Sequence, residues 1–553
     1  MKKRKVDLVL KNGNIINVFD GNIYKGDVAI EGDTIVGIGE YTGESEIDCS
    51  GLYISPAFIE SHVHIESSKV IPEVFAKILL EKGVTTCIAD PHEIANVLGQ
   101  EGLEFMIENS KKADIDIYFM LPSCVPAVET EDNGAILKAS DLIKFKIYDN
   151  VLGLGEVMDV PSVINSNIDM KAKLEAFKNN PIDGHCPDIS IEDLNEYILN
   201  GIKTDHECSK PEEALEKIKR GMYVMLREGS AARNLSNLLP AVKDNNFHRF
   251  LFCTDDKDIN DLVNEGSVDY NVRLSIKLGL DPVKAITMAS YNAANCYDLK
   301  NKGAIAPGYM ADIIIFDSLD EIKIKNIIRK GREIEKKPYK ASNIELKSSM
   351  NIDKIEESLF KIEANGKKIN AIKLIKNSIA TEKIQIEIES DGKYIGEIKS
   401  KNLYEIGVLE RHKKTGKCSI GFIEGFDIGD CTIAQTIAHD SHNIIVVGKN
   451  HKDMAMAVNR LIDIRGGIVL ILNGQIIEEL SLPIAGLMSS DDPINLIKKI
   501  DKMNSYINPE GRKTSNVFLT LGFMALTVIP DLKITARGLY DFSNGCFIDL
   551  FAK

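Results

Sequence analysis

Closely spaced cysteine pairs are missing from this sequence: none of its ten cysteines forms a Cys-x-x-Cys motif, and they follow no regular spacing. A disulfide framework and a structural zinc ribbon both depend on such spacing, so neither is indicated. We expect reduced thiols, which are typical of a cytoplasmic protein.

Long apolar and long basic runs are missing as well. The most apolar late stretch, residues 517–530, contains Thr520, Gly522 and Thr527 and is too short to span a bilayer. The basic residues 1–5 lead into an alternating run and an Asn-Gly pair, which predicts a strand and a turn instead of a secretory signal. The formal net charge is −15 without a block of Lys and Arg, which argues against nucleic acid or an anionic membrane as the main partner.

The length and composition indicate a globular protein of several domains. With 553 residues, of which 44% are hydrophobic and 27% charged, the chain is able to form a large core and is too long for one ordinary domain. Residues 6–47 read as short strands separated by Asn-Gly, Asp-Gly and Glu-Gly turns, and residues 308–317 could complete the same sheet. We predict a small β domain begun by residues 1–52, a barrel over 53–300, a return and connecting region over 301–348, and a C-terminal α/β domain over 349–553.

Short apolar strands alternate with helical stretches such as 71–81 and 94–111 through the central region. Eight such strands in about 200 residues fit a (β/α)8 barrel of the TIM type better than an open sheet. In that fold the catalytic groups lie at the carboxyl ends of the strands. The strand candidates are residues 53–64, 84–90, 115–122, 151–158, 182–186, 202–206, 223–227 and 250–255.

Metal-ligand residue types recur at the ends of these strands. His62 and His64 end the first strand on one face, because side-chain direction repeats every two residues, and neutral imidazoles are common metal ligands. Turn chemistry explains an Asp or two at strand ends but does not favour His and Glu at successive ends. We therefore predict a shared metal site. Its ligand set is His62, His64, Glu156, His185, His206 and Asp255.

This ligand set is larger than one tetrahedral ion requires, so the prediction is a pair of cations about 3.5–4 Å apart that activate one water. Glu156, on the fourth strand, is the candidate bridge between them. Nitrogen and oxygen donors suit Mn, Fe or Zn, and ligand type alone does not separate these metals. One ion would take His185 and His206, and the other His62, His64 and Asp255.

Longer motifs surround the predicted ligands. SPAFIESHVH at 55–64 and NKGAIAPGYMAD at 301–312, together with His185, His206 and Asp255, resemble the amidohydrolase superfamily. Many binuclear members of that superfamily use a carboxylated lysine as the bridge; Glu156 departs from this pattern and agrees with the bacterial adenine deaminase family. The resemblance to that family covers most of the chain and includes DPHEIANVLG at 90–99, GLGEVM at 153–158, DGHCP at 183–187, TDHE at 204–207, REGS at 227–230 and AHDSHN at 438–443.

The resemblance implies hydrolysis of adenine to hypoxanthine and ammonia by a homo-oligomer, with a dimer as the expected state, and with two divalent ions. Mn is the first expectation, and Fe and Zn are alternatives. A metal-held hydroxide would attack C6 of the purine, and a protonated group near N1 would stabilise the intermediate. Glu93 is the candidate proton shuttle, with a helix cap near Ile94 as the alternative, and Asp255 would pass the hydroxide proton to the leaving amine. His92 is left open as a further ligand or an orienting residue.

Two groups outside the ligand set are candidates for substrate contact. One follows the seventh strand and could hydrogen-bond the purine edges, with a surface ion pair as the alternative. The other is a dense polar cluster of the last domain that could close the barrel mouth on the substrate, with an ordinary surface turn as the alternative. The first group is Arg227, Glu228 and Ser230, and the second is His439, Asp440 and His442.

Three other functions compete with this interpretation. A metal hydrolase of cyclic amides is expected to carry a bridging lysine, and Glu156 weighs against it. A zinc nucleobase deaminase needs His-x-Glu and Pro-Cys-x-x-Cys; residues 64–66 supply only the first motif. A barrel that serves as an inactive scaffold should have lost ligands, whereas all six predicted positions are filled.

Overall fold

Five strands open the chain and form the start of a mixed sheet. A computed structural model describes residues 5–335, 338–339, 344, 346–376, 378–389, 393–395, 402–508 and 516–552. The first strands are β1 Lys5–Ile16, β2 Ile23–Glu31, β3 Thr34–Ile38, β4 Thr42–Asp48 and β5 Tyr53–Pro56. β1 pairs antiparallel with β2 and parallel with β4 and β5, so it lies at the centre of this group.

Eight parallel strands follow and curl into a TIM-like barrel. They are β6 Phe58–Val63, β7 Val84–Ala89, β8 Asp116–Leu121, β9 Val151–Val157, β10 Ile182–Gly184, β11 Thr204–Asp205, β12 Tyr223–Arg227 and β13 Phe250–Cys253. β6 to β10 form one parallel sheet and β11 to β13 a second one. The two sheets meet where the Lys203 amide donates to the Ile182 carbonyl at 3.1 Å and the Asp255 amide donates to the His62 carbonyl at 3.0 Å. Every residue of β6 and β7 is buried, as expected for strands covered on both faces.

Helices connect the barrel strands, as the alternating pattern predicts. They are α1 Pro72–Glu81, α2 His92–Leu98, α3 Gln100–Ser110, α4 Ala139–Leu142, α5 Val160–Ile164, α6 Ile168–Phe177, α7 Ile191–Leu199, α8 Pro211–Lys219, α9 Leu235–Leu238, α10 Ile259–Asn264, α11 Val268–Lys277, α12 Pro282–Met288 and α13 Tyr291–Cys296. The helix predicted over 94–111 is divided between α2 and α3. The break falls at Gly99, whose φ of 57° is a conformation that glycine adopts without a Cβ clash.

The strand predicted over 53–64 is also divided. β5 pairs with β1 of the first sheet, whereas β6 pairs with β7 of the barrel. Residues 54–59 are buried throughout, so the apolar pattern of this run gave no indication of the change of sheet.

The chain returns from the barrel to the first sheet. The returning strands are β14 Ile313–Phe316, β15 Ile324–Arg329 and β16 Arg332–Glu333. β14 pairs antiparallel with β5, which gives the sheet order β16-β15-β14-β5-β1-β2-β3 with β4 beside β1. Strands from both sides of the barrel sequence therefore share one sheet.

The C-terminal part contains a second mixed sheet of eight strands and a small three-stranded sheet. Its elements are β17 Lys368–Leu374, β18 Thr381–Glu387, β19 Leu403–Leu409, β20 Cys418–Glu424, β21 Cys431–Gln435, β22 Ile444–Gly448, α14 His451–Asp463, β23 Gly467–Leu472, β24 Gln475–Ser481, α15 Pro493–Ile507, α16 Val517–Gly522, β25 Leu532–Thr535, β26 Gly538–Asp541 and β27 Cys546–Ile548. Val458 and Leu461 of α14 pack in one core with Val446 and Val469 of the sheet. Within the part of the chain that is described, no helix is both long and apolar enough to cross a membrane.

The C-terminal part contacts the carboxyl end of the barrel. We call residues 438–443, which connect β21 to β22, the 438–443 loop. Asn443 of this loop donates to the Asp132 carbonyl at 2.8 Å, and Arg537 pairs with the Asp132 carboxylate at 2.9 Å. Thr527 donates to Glu131 at 3.1 Å. Because residues 131 and 132 belong to the connection that follows β8, these contacts bring polar residues of the C-terminal part to the barrel mouth.

Candidate metal centre

The first two predicted ligands lie at the end of β6 and face the residue that follows β13. His64 Nε2 lies 2.9 Å from Asp255 Oδ1, and His62 Nε2 lies 3.4 Å from the same oxygen. The other ring nitrogen of His64, Nδ1, donates to the Asp90 carbonyl at 2.9 Å. This hydrogen bond leaves the lone pair of His64 on Nε2, which is the atom turned toward the carboxylates.

The carboxylate of Glu156 lies between two groups of imidazoles. Its Oε1 is 3.4 Å from His64 Nε2 and 3.3 Å from His92 Nδ1. Its Oε2 is 2.7 Å from His185 Nδ1 and 3.2 Å from His206 Nε2. One oxygen therefore faces β6 and α2, and the other faces the ends of β10 and β11. This is the arrangement that a bridging carboxylate requires.

The six predicted ligands lie close enough together to form candidate cation sites. They form several overlapping groups of three residues, and within each group the ligand atoms lie within 4.8 Å of one another. One group is His62, His206 and Asp255, and another is Glu156, His185 and His206. His62 Nε2 is buried and has no hydrogen-bond partner among the described residues. A buried nitrogen without a partner costs free energy unless it binds something, and a divalent ion would satisfy it.

The charge state of two of these residues suits metal binding. Burial and the neighbouring His206 lower the pKa of His62 to about 4, so its imidazole is neutral near pH 7. Burial alone would raise the pKa of Glu156, yet hydrogen bonds with His185 and His206 hold it well below its usual range. Neutral imidazole and ionised carboxylate are the forms that coordinate metals.

The predicted substrate contacts after β12 have other partners in the structure. Arg227 Nη1 donates to Asp255 Oδ2 at 2.8 Å and also pairs with Glu207. Ser230 donates to Asp261 at 2.5 Å, and the Glu228 carboxylate lies 3.9 Å from Arg233. The ion pair of Arg227 is buried, which differs from the surface pair that was the alternative. Contact of these residues with a purine stays a prediction.

Glu93 binds the 438–443 loop. Its Oε1 is hydrogen-bonded to His439 Nδ1 and its Oε2 to His442 Nε2. The helix-cap alternative for Glu93 does not describe this geometry, because the amide of Ile94 donates to Glu66 Oε1 at 3.0 Å instead. The cluster of the C-terminal part is buried in the protein and is not a surface turn.

His92 and Asp440 lie beside this contact. His92 Nδ1 faces Glu156, and its Nε2 lies 4.0 Å from Asp440 Oδ1. His92 therefore bridges the predicted metal ligands and the C-terminal loop. Burial raises the pKa of Asp440 to about 6.

Sequence reasoning gave no role to several acids around the centre, of which Asp90, Glu66 and Glu131 are buried and Glu207 is partly buried. Asp90 accepts the Glu156 amide at 2.9 Å, and Glu207 pairs with Arg227. Glu66 and Glu131 each have one carboxylate oxygen without a partner among the described residues. Asp90 begins the motif at 90–99 and Glu207 ends the motif at 204–207, which was the available indication; Glu131 lies in a connection with no such motif.

The parallel barrel and the strand-end ligands define a metal-dependent hydrolase of the amidohydrolase type, and the sequence model named Amidohydrolase family matches residues 53–355. A second model, Adenine deaminase C-terminal domain, matches residues 378–546. A protein named adenine deaminase from Clostridium acetobutylicum is 44% identical over 99% of this chain and 98% of its own length. One of the same name from Geobacillus kaustophilus is 44% identical over 100% of this chain and 98% of its own length. The chain belongs to the adenine deaminase family of the amidohydrolase superfamily.

Proposed function

We propose that this protein hydrolyses adenine to hypoxanthine and ammonia. The observation that carries the proposal is the position of the Glu156 carboxylate between two groups of imidazoles. Its Oε1 faces His64, and its Oε2 faces His185 and His206. A carboxylate in this position can bridge two cations. The relatives named adenine deaminase, which match the chain over nearly its whole length, support a purine substrate.

Two divalent ions fit the donors around Glu156. When bound, they supply the Lewis acidity that lowers the pKa of a shared water and makes it a nucleophile near neutral pH. Imidazole and carboxylate donors suit Mn, Fe and Zn alike. The resemblance to the adenine deaminase family favours Mn as the proposed native metal, with Fe and Zn as alternatives. The proposed ligands are His62, His64, Glu156, His185, His206 and Asp255.

The carboxylates of the chain move the protons of the reaction. Asp255, next to His62 and His64, takes the proton of the attacking water and delivers it to the amino group that leaves as ammonia. Burial alone would raise the pKa of Glu93, yet His439 and His442 hold it well below its usual range, so Glu93 acts as an ionised shuttle. It takes the second proton of the water from the new C6 hydroxyl and transfers it to N1 of the purine, while the bond between C6 and the amino group breaks. Water thus supplies the oxygen of hypoxanthine, and no oxidant or reductant is required.

Substrate contacts are proposed on both sides of the mouth. Asp440 is buried beside His92 and is placed to accept a hydrogen bond from a purine N–H group when it is ionised. Arg227, Glu228 and Ser230 act at the purine edge only if their present hydrogen bonds rearrange.

The remaining organisation is also proposed. Residues 1–52 and the returning region 301–348 form one composite β domain, residues 53–300 form the catalytic barrel, and residues 349–553 form the C-terminal α/β domain. The pairing of β14 with β5 supports the composite domain. We further propose a homodimer located in the cytoplasm, acting on a small molecule and not on nucleic acid or membranes.

Reconstitution tests the proposed activity. The purified chain, stripped with a chelator and loaded separately with Mn, Fe or Zn, is assayed for hypoxanthine and ammonia in equal amounts. Other aminopurines and cyclic amides are assayed in parallel, because the rival hydrolase would act on the latter. A metal-loaded, folded protein that turns over none of these substrates would support the scaffold alternative and overturn the proposal.

A further inference from the structure

Two imidazoles of the C-terminal part hold both oxygens of one barrel carboxylate. His439 Nδ1 is hydrogen-bonded to Glu93 Oε1, and His442 Nε2 to Glu93 Oε2. All three side chains are buried, with exposed fractions of 1% for Glu93, 3% for His439 and 1% for His442. Glu93 lies in the first turn of α2 of the barrel, so this contact joins two parts of the chain that are far apart in sequence.

The residue types in this cluster are those of a cation site, but the tautomer of His442 argues otherwise. Glu93, His439 and His442 present ligand atoms within 4.8 Å of one another. The Ala438 amide donates to His442 Nδ1 at 3.3 Å, so Nδ1 is the acceptor and the ring proton lies on Nε2. Nε2 then donates to Glu93 and has no lone pair for a metal. The cluster is a hydrogen-bonded triad.

The two histidines of the triad make further contacts within the C-terminal part. Arg411 is fully buried; its Nε donates to the His442 carbonyl, and its Nη2 donates to the Ala485 carbonyl at 2.9 Å. The ring of His439 stacks on Phe523 with centroids 4.7 Å apart and planes inclined by 19°. Arg411 thus holds the backbone of the 438–443 loop. The His439 ring cannot turn away from Glu93 without losing its stacking on Phe523, and the His442 ring cannot do so without losing the hydrogen bond from the Ala438 amide.

The two oxygens of Glu93 differ in what they can do. Oε2 accepts the only ring proton of His442 and is committed to that bond. Oε1 lies 3.7 Å from His92 Nε2, and His92 Nδ1 in turn lies 3.3 Å from Glu156, so Oε1 is on the side of the predicted metal ligands. Oε1 also shares a hydrogen bond with His439 Nδ1, but it is the oxygen on the side of the predicted metal ligands, so its second lone pair is the one available for proton exchange with a substrate.

We propose that His439 and His442 are positioning residues for the deamination reaction, which hold the Glu93 carboxylate in one orientation with Oε1 toward the substrate. The inference rests on the proposed function. A carboxylate that is already held in its reactive orientation does not lose conformational entropy during each turnover. The two imidazoles hold Glu93 in this orientation, so the rate of the chemical step depends on them. The C-terminal part accordingly completes the catalytic apparatus of the barrel.

The variants remove or retain each hydrogen bond. His442→Leu and His439→Leu remove the bond, whereas His442→Gln and His439→Asn place an amide near the Nε2 and Nδ1 positions and retain a donor. The matched control is His451→Gln, because His451 is a C-terminal histidine that pairs with Glu405 at 2.8 Å away from this cluster. All variants are tested as Mn-loaded full chains.

We expect each Leu variant to lower kcat by about 10- to 100-fold, with the amide variants recovering most of the loss. KM for adenine and bound Mn should match those of the control. The thermal midpoint of each Leu variant should fall, because the buried Glu93 carboxylate loses a partner, so kcat is compared at a temperature at which every variant is folded. In a Glu93→Gln background the same Leu substitutions should change kcat by less than about 2-fold, because residues that act through one group are not additive.

The result that overturns the inference is an equal loss in both backgrounds, or no loss in the native background. Failure of the proposed function is distinguishable, because the unmutated Mn-loaded chain would then not deaminate adenine at all.

Discussion

Arg227 Nη1 donates a hydrogen bond to Asp255 Oδ2 at 2.8 Å, and the same guanidinium pairs with Glu207. Asp255 follows β13, and Glu207 is the residue after the predicted ligand His206. Burial alone would raise the pKa of Asp255, yet Arg227 together with His62 holds it well below its usual range. Arg227 therefore keeps a predicted metal ligand ionised and fixed in direction.

Replacing Arg227 should weaken metal binding. Arg227→Lys replaces the planar guanidinium, which binds two carboxylates at once, by an ammonium that cannot do so. Arg227→Met removes the charge. We expect Mn affinity to fall by about 10- to 100-fold in both variants. The measurement is Mn titration against a chelating dye, with Arg233→Met as the control because Arg233 pairs with Glu265 at 3.0 Å. Native Mn affinity together with a raised KM for adenine would instead support the predicted purine contact of Arg227.

The convergence of the predicted ligands at one end of the barrel could be anticipated because its cause is local; their role as ligands stays a prediction. An apolar strand that ends in His62 and His64 places both rings on one face, and a parallel barrel gathers the carboxyl ends of its strands at one mouth. The family assignment drawn from the same motifs is confirmed by the sequence comparisons.

The partners of these residues could not be predicted in the same way. The contact between Glu93 and His439 spans 346 positions, and no periodicity encodes such a distance. Arg227 ends β12. Whether its guanidinium binds substrate or Asp255 depends on side-chain rotamers and on neighbours from two other strands. The sequence pattern did not indicate the change of sheet after β5, because residues 54–59 are buried in both sheets.

Replacing Glu156 should remove metal from the chain. Glu156→Gln loses the charge and exchanges one acceptor oxygen for an amide, although both oxygens face imidazoles. We expect bound Mn, measured by elemental analysis after gel filtration, to fall below two ions per chain and deamination to be lost. The control is Glu405→Gln, which alters the pair of the buried Glu405 with the half-buried His451 at 2.8 Å. Full metal content and activity in Glu156→Gln would remove Glu156 from the site.

A buried ion pair supports the loops that carry two ligands. Lys217 Nζ donates to Asp205 Oδ2 at 2.9 Å and to the Cys186 carbonyl at 2.8 Å, and Asp205 accepts the Cys186 amide at 2.8 Å. Both charged side chains are fully buried. Cys186 follows His185, and Asp205 precedes His206, so the pair holds the ends of β10 and β11 together.

Lys217→Met should therefore destabilise the barrel by about 3–5 kcal/mol, because it leaves the Asp205 charge buried without its partner. Urea unfolding followed by circular dichroism measures the change, since the chain has no tryptophan. Lys217→Met combined with Asp205→Asn should recover part of the loss. A single variant as stable as the native chain would contradict this role.

The stability of the C-terminal contact should depend on pH through Glu131. This carboxyl is buried and accepts one hydrogen bond from Thr527, and burial together with the neighbouring Asp440 raises its pKa to about 8 from an ordinary value of 4.5. Between these values the native state keeps a proton that the unfolded chain has lost, so the stability contributed by Glu131 falls as pH rises through the window.

Glu131→Gln has no such dependence. The quantity to follow is the melting temperature of Glu131→Gln minus that of the native chain. We expect this difference to be unchanged near pH 4 and to increase steadily up to about pH 8. Thermal melts by circular dichroism in metal-loaded samples measure this difference, and a constant difference from pH 5 to pH 8 would mean that Glu131 is already ionised in the native state.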